Sequence, residues 1–263
     1  MPSSTSSSMP LKDTIAFITG GGTGIGRGLA LAFARAGSTV AVCGRRKDKL
    51  DETVAEIQKA GGKAAAFAGD VSKAEGCCQM ALDCVVKLGG IDILVNNAGI
   101  ARFGALDQTP DEDIDAMIDI NLRGAVLMTK YAIPELTKRG ASGRCSILNI
   151  GTSAALSAVK NFAGYSATKA ALLHFTRCMA AELAENRVRV NCINPGVVDT
   201  PIFGTMMPSA AVKGALDNFA KQTPLGRIGQ PADIADAAVF LSSPQAAWIT
   251  GAMLTIDGGM SLR

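Results

Sequence analysis

Thr14-Ile15-Ala16-Phe17-Ile18-Thr19-Gly20-Gly21-Gly22-Thr23-Gly24-Ile25-Gly26 is the stretch that decides the fold. Its first part, Thr14–Thr19, is an apolar run that reads as a buried strand. The strand enters a turn holding five glycines between Gly20 and Gly26, and Gly24–Ala36 then reads as a helix. A glycine turn between strand and helix lets backbone approach a pyrophosphate closely, while the helix N-terminus offers free N–H groups and partial positive charge. A glycine cluster alone would serve equally as a tight loop. Its place after the first strand and before an amphipathic helix favours a dinucleotide.

The same alternation continues outward to the C-terminus. Thr39–Cys43, Ala64–Ala68, Ile91–Val95, Cys145–Ile150, Val188–Ile193 and Met253–Ile256 read as strands. Lys47–Ala60 puts Leu50, Val54 and Ile57 on one helical stripe, ended by Gly61-Gly62. Lys73–Leu88 has helical period through Cys77, Met80, Cys84 and Leu88. Thr109-Pro110-Asp111-Glu112 reads as a capping box with proline at the first helical position. The long helix after it should be kinked or ended by Pro134. Further helices are expected over Ala163–Glu185 and Ala232–Leu241, and residues 201–222 look least regular. Repeated strand–helix units imply an α/β fold: a doubly wound parallel sheet of about seven strands with helices on both faces, and ligands at the strands' carboxyl ends.

No linker divides the chain, so residues 11–263 are expected to form one domain. Residues 1–10 are serine-rich without an apolar core, and read as a disordered tail in which either Met1 or Met9 serves as the start. The net charge of +3 is too slight and dispersed for nucleic acid, and no apolar run is long enough for a bilayer. Seven cysteines without a CxxC spacing suit reduced, buried thiols in a cytoplasmic protein. No metal is expected, since His174 is the single histidine.

Tyr165 and Lys169 lie four residues apart in Tyr165-Ser166-Ala167-Thr168-Lys169, one helical turn, so both project from one face. An ammonium beside a phenol stabilises the phenolate and lowers its pKa, giving a proton donor for hydride-transfer chemistry. After the second strand stand Gly44-Arg45-Arg46-Lys47, with no acid before Asp48. An acid there would grip a ribose 2′-hydroxyl, whereas a guanidinium pairs with a 2′-phosphate. NADP(H) is therefore preferred over NAD(H), with Arg45 as the main contact and Arg46 beside it.

The turn spacing TGxxxGxG resembles that of the short-chain dehydrogenase/reductase family. Matching pieces in order are Asn96-Asn97-Ala98-Gly99, Asn121, Tyr165/Lys169, Asn194-Pro195-Gly196 and Asp257-Gly258-Gly259, so the likeness runs from Thr14 to Gly259. The resemblance implies a single Rossmann-type domain and an NAD(P)-dependent oxidoreductase. It implies coenzyme contacts from Gly20, Gly22, Thr23, Gly24, Ile25 and Gly26, with Asp70 and Val71 bordering the adenine. Asn97, Ala98 and Gly99 should line the coenzyme wall. Pro195 and Gly196 belong to the same site, with Val198 and Thr200 near the nicotinamide. Tyr165 becomes the general acid–base, Lys169 also holds the nicotinamide ribose, and Asn121 supports a water relay or a helix-to-backbone bond. The family usually has serine thirteen positions before the tyrosine; here that position is Thr152, with Ser153 following as the alternative.

The resemblance also implies a substrate lid over 201–222 and a homo-oligomer, tetramer or dimer, in which the apolar Trp248–Ile256 stretch meets a neighbour. Phe103, Leu156, Met206 and Met207 suit an apolar or amphipathic ketone or secondary alcohol. A 3-oxoacyl chain on an acidic carrier protein is a second reading, with Lys130, Lys138, Arg139 and Arg177 as docking cations. A coenzyme-binding sensor without turnover is the third.

Overall fold

A computed structural model describes residues 9–262. Seven strands, β1 (Ile15–Thr19), β2 (Thr39–Gly44), β3 (Ala64–Ala68), β4 (Ile93–Asn96), β5 (Ser146–Ile150), β6 (Arg189–Pro195) and β7 (Met253–Ile256), form one sheet in the order β3-β2-β1-β4-β5-β6-β7. Every pairing is parallel. All residues of β1, β4, β5 and β6 are buried; β1 and β4 read as apolar runs for that reason, while β5 and β6 also bury polar residues such as Asn149, Arg189 and Asn191. Eight helices connect them: α1 (Gly24–Arg35), α2 (Lys47–Lys59), α3 (Ala74–Leu88), α4 (Asp111–Ile118), α5 (Gly124–Arg139), α6 (Ala163–Leu183), α7 (Ser209–Gln222) and α8 (Pro231–Ser242). One core layer sets Phe33, Leu50 and Ile234 against one face of the sheet, and a second sets Cys84, Met128 and Met179 against the other. Strand order reverses between β1 and β4, so a crevice opens there at the carboxyl edge.

Several sequence expectations change here. Residues 201–222 are ordered: a 3₁₀ turn over Pro201–Thr205 precedes the fourteen-residue α7. None of α7's residues is buried, so no core-facing stripe marked it as a helix. Pro134 lies inside α5 without ending it. Met128, Ala132 and Leu136 bury that helix against the sheet, and this packing outweighs the one backbone bond proline removes. The irregularity falls earlier, in a π segment over Asp119–Arg123.

The Thr109 capping box does not form, because its hydroxyl donates to the Ala105 carbonyl and Pro110 takes the N-cap. Met9 and Pro10 belong to a turn packed beside buried Leu11; the rest of the expected tail lies outside the described residues. All seven cysteines are free thiols, five of them buried; Cys178 is exposed and Cys78 partly so. Among the described residues no helix is long and apolar enough to cross a membrane, and no cluster could hold a metal. Trp248 is fully exposed, near the half-exposed edge strand β7.

Below the sheet, at the amino end of β4, buried Asp92 accepts from Arg139 Nε and Nη2 at 2.7 and 3.1 Å and from the Ile15 N–H at 2.8 Å. Removing one partner of such a pair strands the other. Asp92→Ala should cost about 3 kcal/mol of unfolding free energy, read from urea denaturation. A loss below the scatter of surface substitutions would contradict this assignment.

Candidate active site

The glycine turn is held open by its neighbours. Gly20 adopts φ 66°, a region that suits glycine. A Cβ at Gly26 would lie 2.2 Å from the Gly20 carbonyl oxygen and 2.4 Å from Asn97 Nδ2, so only glycine lets α1 start so close to the turn. Asn97 Nδ2 donates to the Thr19 carbonyl at 2.8 Å, while Thr19 Oγ1 accepts from the N–H groups of Asn97 and Ala98, both at 2.9 Å. The Asn-Asn-Ala-Gly segment thus pins the turn as well as walling the cleft. Thr23 at the N-cap makes no capping bond through its side chain, and α1 has no acid in its first turn. Its leading N–H groups remain available to an anion.

A cleft of about 820 Å³ runs from this turn across the sheet edge. All the expected coenzyme residues line it: the glycine turn, Arg45, Arg46, Asp70, Val71, the Asn97–Gly99 wall, Pro195, Gly196, Val198 and Thr200. Its charged lining side chains are Arg45, Arg46, Lys49, Asp70 and Lys169. Four cations against one carboxylate suit a polyanionic ligand. Lys49, which the sequence did not single out, sits in the first turn of α2 and pairs with Glu52 at 2.6 Å. Arg46 donates to Thr23 Oγ1 at 3.1 Å, folding over the turn, whereas Arg45 is exposed and has no acidic partner among the described residues.

At the cleft centre, β5 ends and Thr152 caps a short 3₁₀ turn, its Oγ1 accepting from the Ala154 N–H at 3.3 Å. The Thr152 hydroxyl meets the Tyr165 phenol, while neighbouring Ser153 is buried, though it still borders the cleft. Tyr165 and Lys169 both line the cleft from α6.

The electrostatics differ from the sequence expectation. Burial pushes the Tyr165 phenol up to about 12, with the Thr152 contact acting the other way. Lys169 does not acidify it in the chain alone. Lys169 is only 3% exposed, and its ammonium donates instead to the Ile150 carbonyl at 2.8 Å. Burial pulls Lys169 down to about 8, nearby Cys192 opposing.

That shift has a measurable consequence. Between about pH 8 and 10.5 the unfolded chain holds the Lys169 proton and the folded chain releases it. Stability from this group therefore rises with pH through that window, and the cost of the buried ammonium is complete below it. Measured against Lys169→Met, in which the other titrations cancel, wild type should gain up to about 3 kcal/mol between pH 7 and pH 10.5. A pH-independent difference would contradict the buried-ammonium assignment.

Asn121 lies behind the cleft wall, 1% exposed, turned inward by the π segment. Its Oδ1 accepts from the Ile100 N–H at 2.8 Å, and its Nδ2 donates to the Ile100 carbonyl at 2.9 Å and Thr168 Oγ1 at 3.1 Å. Thr168 in turn donates to the Tyr165 carbonyl at 2.8 Å. The amide therefore braces both the loop after Gly99 and the helix carrying Tyr165. Thr168, missed by the sequence reading, is the link.

Beyond Tyr165 the lining is largely apolar, with Phe103, Val159, Phe162, Phe203, Met206, Met207 and Phe219, and the hydroxyl residues Ser157 and Thr205 among them. Met260 and Ser261 from the C-terminal turn also line the cleft. That turn is held by Asp257, whose carboxylate accepts from the Gly259 and Ser261 N–H groups at 2.9 and 2.8 Å. Leu156 is exposed and does not line the cleft. Arg139 lies at the opposite end of the sheet on Asp92, and Lys138 pairs with Glu135 at 3.6 Å, so neither is a free cation beside the cleft. His174 is exposed on α6 and is absent from the cleft lining.

A doubly wound sheet with a glycine turn at its switch point, and a Tyr–Lys pair across the same cleft, is the frame of a dinucleotide-dependent oxidoreductase. The chain belongs to the short-chain dehydrogenase/reductase family: residues 20–261 match the family described as Enoyl-(Acyl carrier protein) reductase. It is 37% identical over 254 residues to 7alpha-hydroxysteroid dehydrogenase of Escherichia coli, covering 97% of this chain and 96% of that one. It is 34% identical over 252 residues to the 3-oxoacyl-(acyl-carrier-protein) reductase of Thermotoga maritima, covering 96% and 99%. Among solved structures, 3-ketoacyl-(acyl-carrier-protein) reductase from Brucella melitensis complexed with NADH superposes with a TM-score of 0.88 at 38% identity, covering 95% and 99%. The chain is thus an oxidoreductase of the kind that acts on alcohol and carbonyl groups.

Proposed function

We propose that this chain is an NADPH-dependent carbonyl reductase, working in reverse as an alcohol dehydrogenase, on an apolar ketone or secondary alcohol. The observation carrying the reading is that Thr152, Tyr165 and Lys169 line the same cleft as the glycine turn, with the Thr152 hydroxyl against the Tyr165 phenol. The uncapped α1 N-terminus and the cationic lining fit a dinucleotide diphosphate, with Gly20–Gly26 against the phosphates and Asp70–Val71 and Asn97–Gly99 as walls. When bound, that coenzyme supplies or accepts a hydride at C4 of its nicotinamide.

The chain's own groups handle the proton. In reduction, Thr152 orients the carbonyl oxygen and Tyr165 Oη donates a proton to it. Burial keeps the phenol neutral across the physiological range, the form that reduction requires. Oxidation requires the phenolate, so its rate should climb with pH. Lys169 holds the ribose hydroxyls; because burial makes it release its proton well before Tyr165 does, its charge does not drive phenolate formation in the chain alone. Asn121 keeps the loop and α6 in register for this exchange.

Arg45 supports the preference for NADP(H): it lines the cleft beside the glycine turn without an acidic partner among the described residues, and no acid follows β2 before Asp48. NAD(H) is the alternative coenzyme. The carrier-linked 3-oxoacyl reading draws on the Thermotoga relative; of its four expected cations Arg139 is held by Asp92 and Lys138 lies 3.6 Å from Glu135, while Lys130 and Arg177 are exposed without an acidic partner among the described residues. A cytoplasmic homo-oligomer, tetramer or dimer, completes the proposal, with exposed Trp248 and half-exposed β7 as the surface a neighbour would cover.

A panel of ketones and secondary alcohols, run with each of the four nicotinamide forms, tests this. Turnover of at least one neutral ketone with NADPH is expected. Absence of turnover with every pair would leave only the sensor reading.

A further inference from the structure

Phe162 is the N-cap of α6, three residues before Tyr165, and its ring stacks on the phenol with centroids 4.6 Å apart and planes at 33°. Phe103 packs on Phe162 in turn, centroids 5.9 Å apart and planes at 56°. Two backbone features fix this pile. Asn161 adopts a left-handed conformation, φ 63°, which swings the chain into Phe162. Its carbonyl accepts from the Gly104 N–H at 2.9 Å, tying the loop that carries Phe103 to the start of α6.

All three rings line the cleft, and Phe103 keeps 55% of its surface exposed. Met206 and Met207 line the same cleft from the segment before α7. Among the described residues, the charged side chains that line the cleft are Arg45, Arg46, Lys49, Asp70 and Lys169, none of them adjacent in the chain to Phe103 or Phe162. Three rings in contact, mutually tilted and one of them against the proton donor, form a contiguous aromatic surface along the cleft wall.

We propose that Phe103 and Phe162 form a recognition platform for a flat ring, and that the substrate is an uncharged carbonyl compound whose carbonyl is attached to, or part of, such a ring. An aryl ketone is the simplest member of the class. This rests on the carbonyl-reductase reading above and narrows it. A carbonyl at Tyr165 Oη places its attached ring beside Phe162, where offset or edge contacts with both phenyl rings add to area burial. Thioether sulfurs of Met206 and Met207 adapt to the ring's other side. A charged substituent would be stripped of water here without a partner. A long acyclic chain would lose rotamer freedom with no ring contact in return.

The test compares acetophenone with cyclohexyl methyl ketone, which share the carbonyl but differ in ring flatness. Wild type and Phe103→Leu are assayed with NADPH, and the ratio of kcat/KM for the two ketones is taken in each, so intrinsic reactivity cancels. Phe103 is exposed, and circular dichroism confirms that the variant folds. The ratio should fall roughly three- to tenfold in the variant. An unchanged ratio would overturn the platform while leaving the reductase reading intact. If neither ketone turns over, the reductase reading is what suffers, and calorimetric binding of the same two ketones to the full chain decides the platform. Tighter binding of acetophenone that Phe103→Leu abolishes supports it; equal binding of the two ketones overturns it.

Discussion

Tyr165→Phe should lower kcat/KM for ketone reduction by roughly a thousandfold while leaving coenzyme binding and stability near wild type. Only the phenolic oxygen is removed. The ring that stacks on Phe162 remains, so α6 keeps its packing. Within this reading the variant loses the proton that the alkoxide oxygen must receive as hydride arrives. The loss should appear in kcat, with little change in the coenzyme Kd by fluorescence titration. In the oxidative direction wild type should gain rate with rising pH, because burial holds the phenol up near 12 and each unit of pH supplies more phenolate. The variant should lack that slope. Retention of a tenth or more of the reductive rate would assign the proton to another group.

The second large effect concerns the coenzyme. Arg45→Ala combined with Arg46→Ala should reduce the preference for NADPH over NADH by about a hundredfold, from two charge-assisted contacts of about 1.5 kcal/mol each. Both side chains are exposed and line the cleft beside the glycine turn, so the fold should tolerate the change. The loss should fall on the KM for NADPH, with NADH nearly unaffected. Each single substitution should account for about tenfold of it, Arg45→Ala for slightly more because Arg46 is partly engaged by Thr23 Oγ1. If NADH and NADPH lose equally, the arginines serve the pyrophosphate rather than a 2′-phosphate. If neither changes, Lys49 becomes the cation to examine.

The strands were legible because parallel strands covered on both faces must be apolar throughout, as Ile15–Thr19 and Ser146–Ile150 largely are. The glycine turn was legible because close backbone approach excludes every other residue at Gly26. The Tyr165/Lys169 spacing exposed the centre of the site. What escaped has physical reasons. Helix α7 packs no residue into the core, so it leaves no stripe in the pattern. The π segment at Asp119–Arg123 adds one residue to a turn without any composition that marks it. Phe162 and Met260 reach the cleft through tertiary placement. The cost of burying Lys169 follows from its surroundings, and so does the direction of its shift. Spacing alone suggested that lysine would acidify the tyrosine. In the folded chain, desolvation sets the direction for both groups.

The central claim is that this cleft passes hydride between coenzyme and carbonyl while Tyr165 supplies the proton. Its most direct measurement follows the isotope. A neutral aryl ketone is incubated with NADPH deuterated at the transferable C4 position, and the product alcohol is analysed by mass spectrometry. The account predicts deuterium on the carbinol carbon with wild type and nearly none formed by Tyr165→Phe. Alcohol without deuterium, or equal labelled product from both proteins, would contradict it.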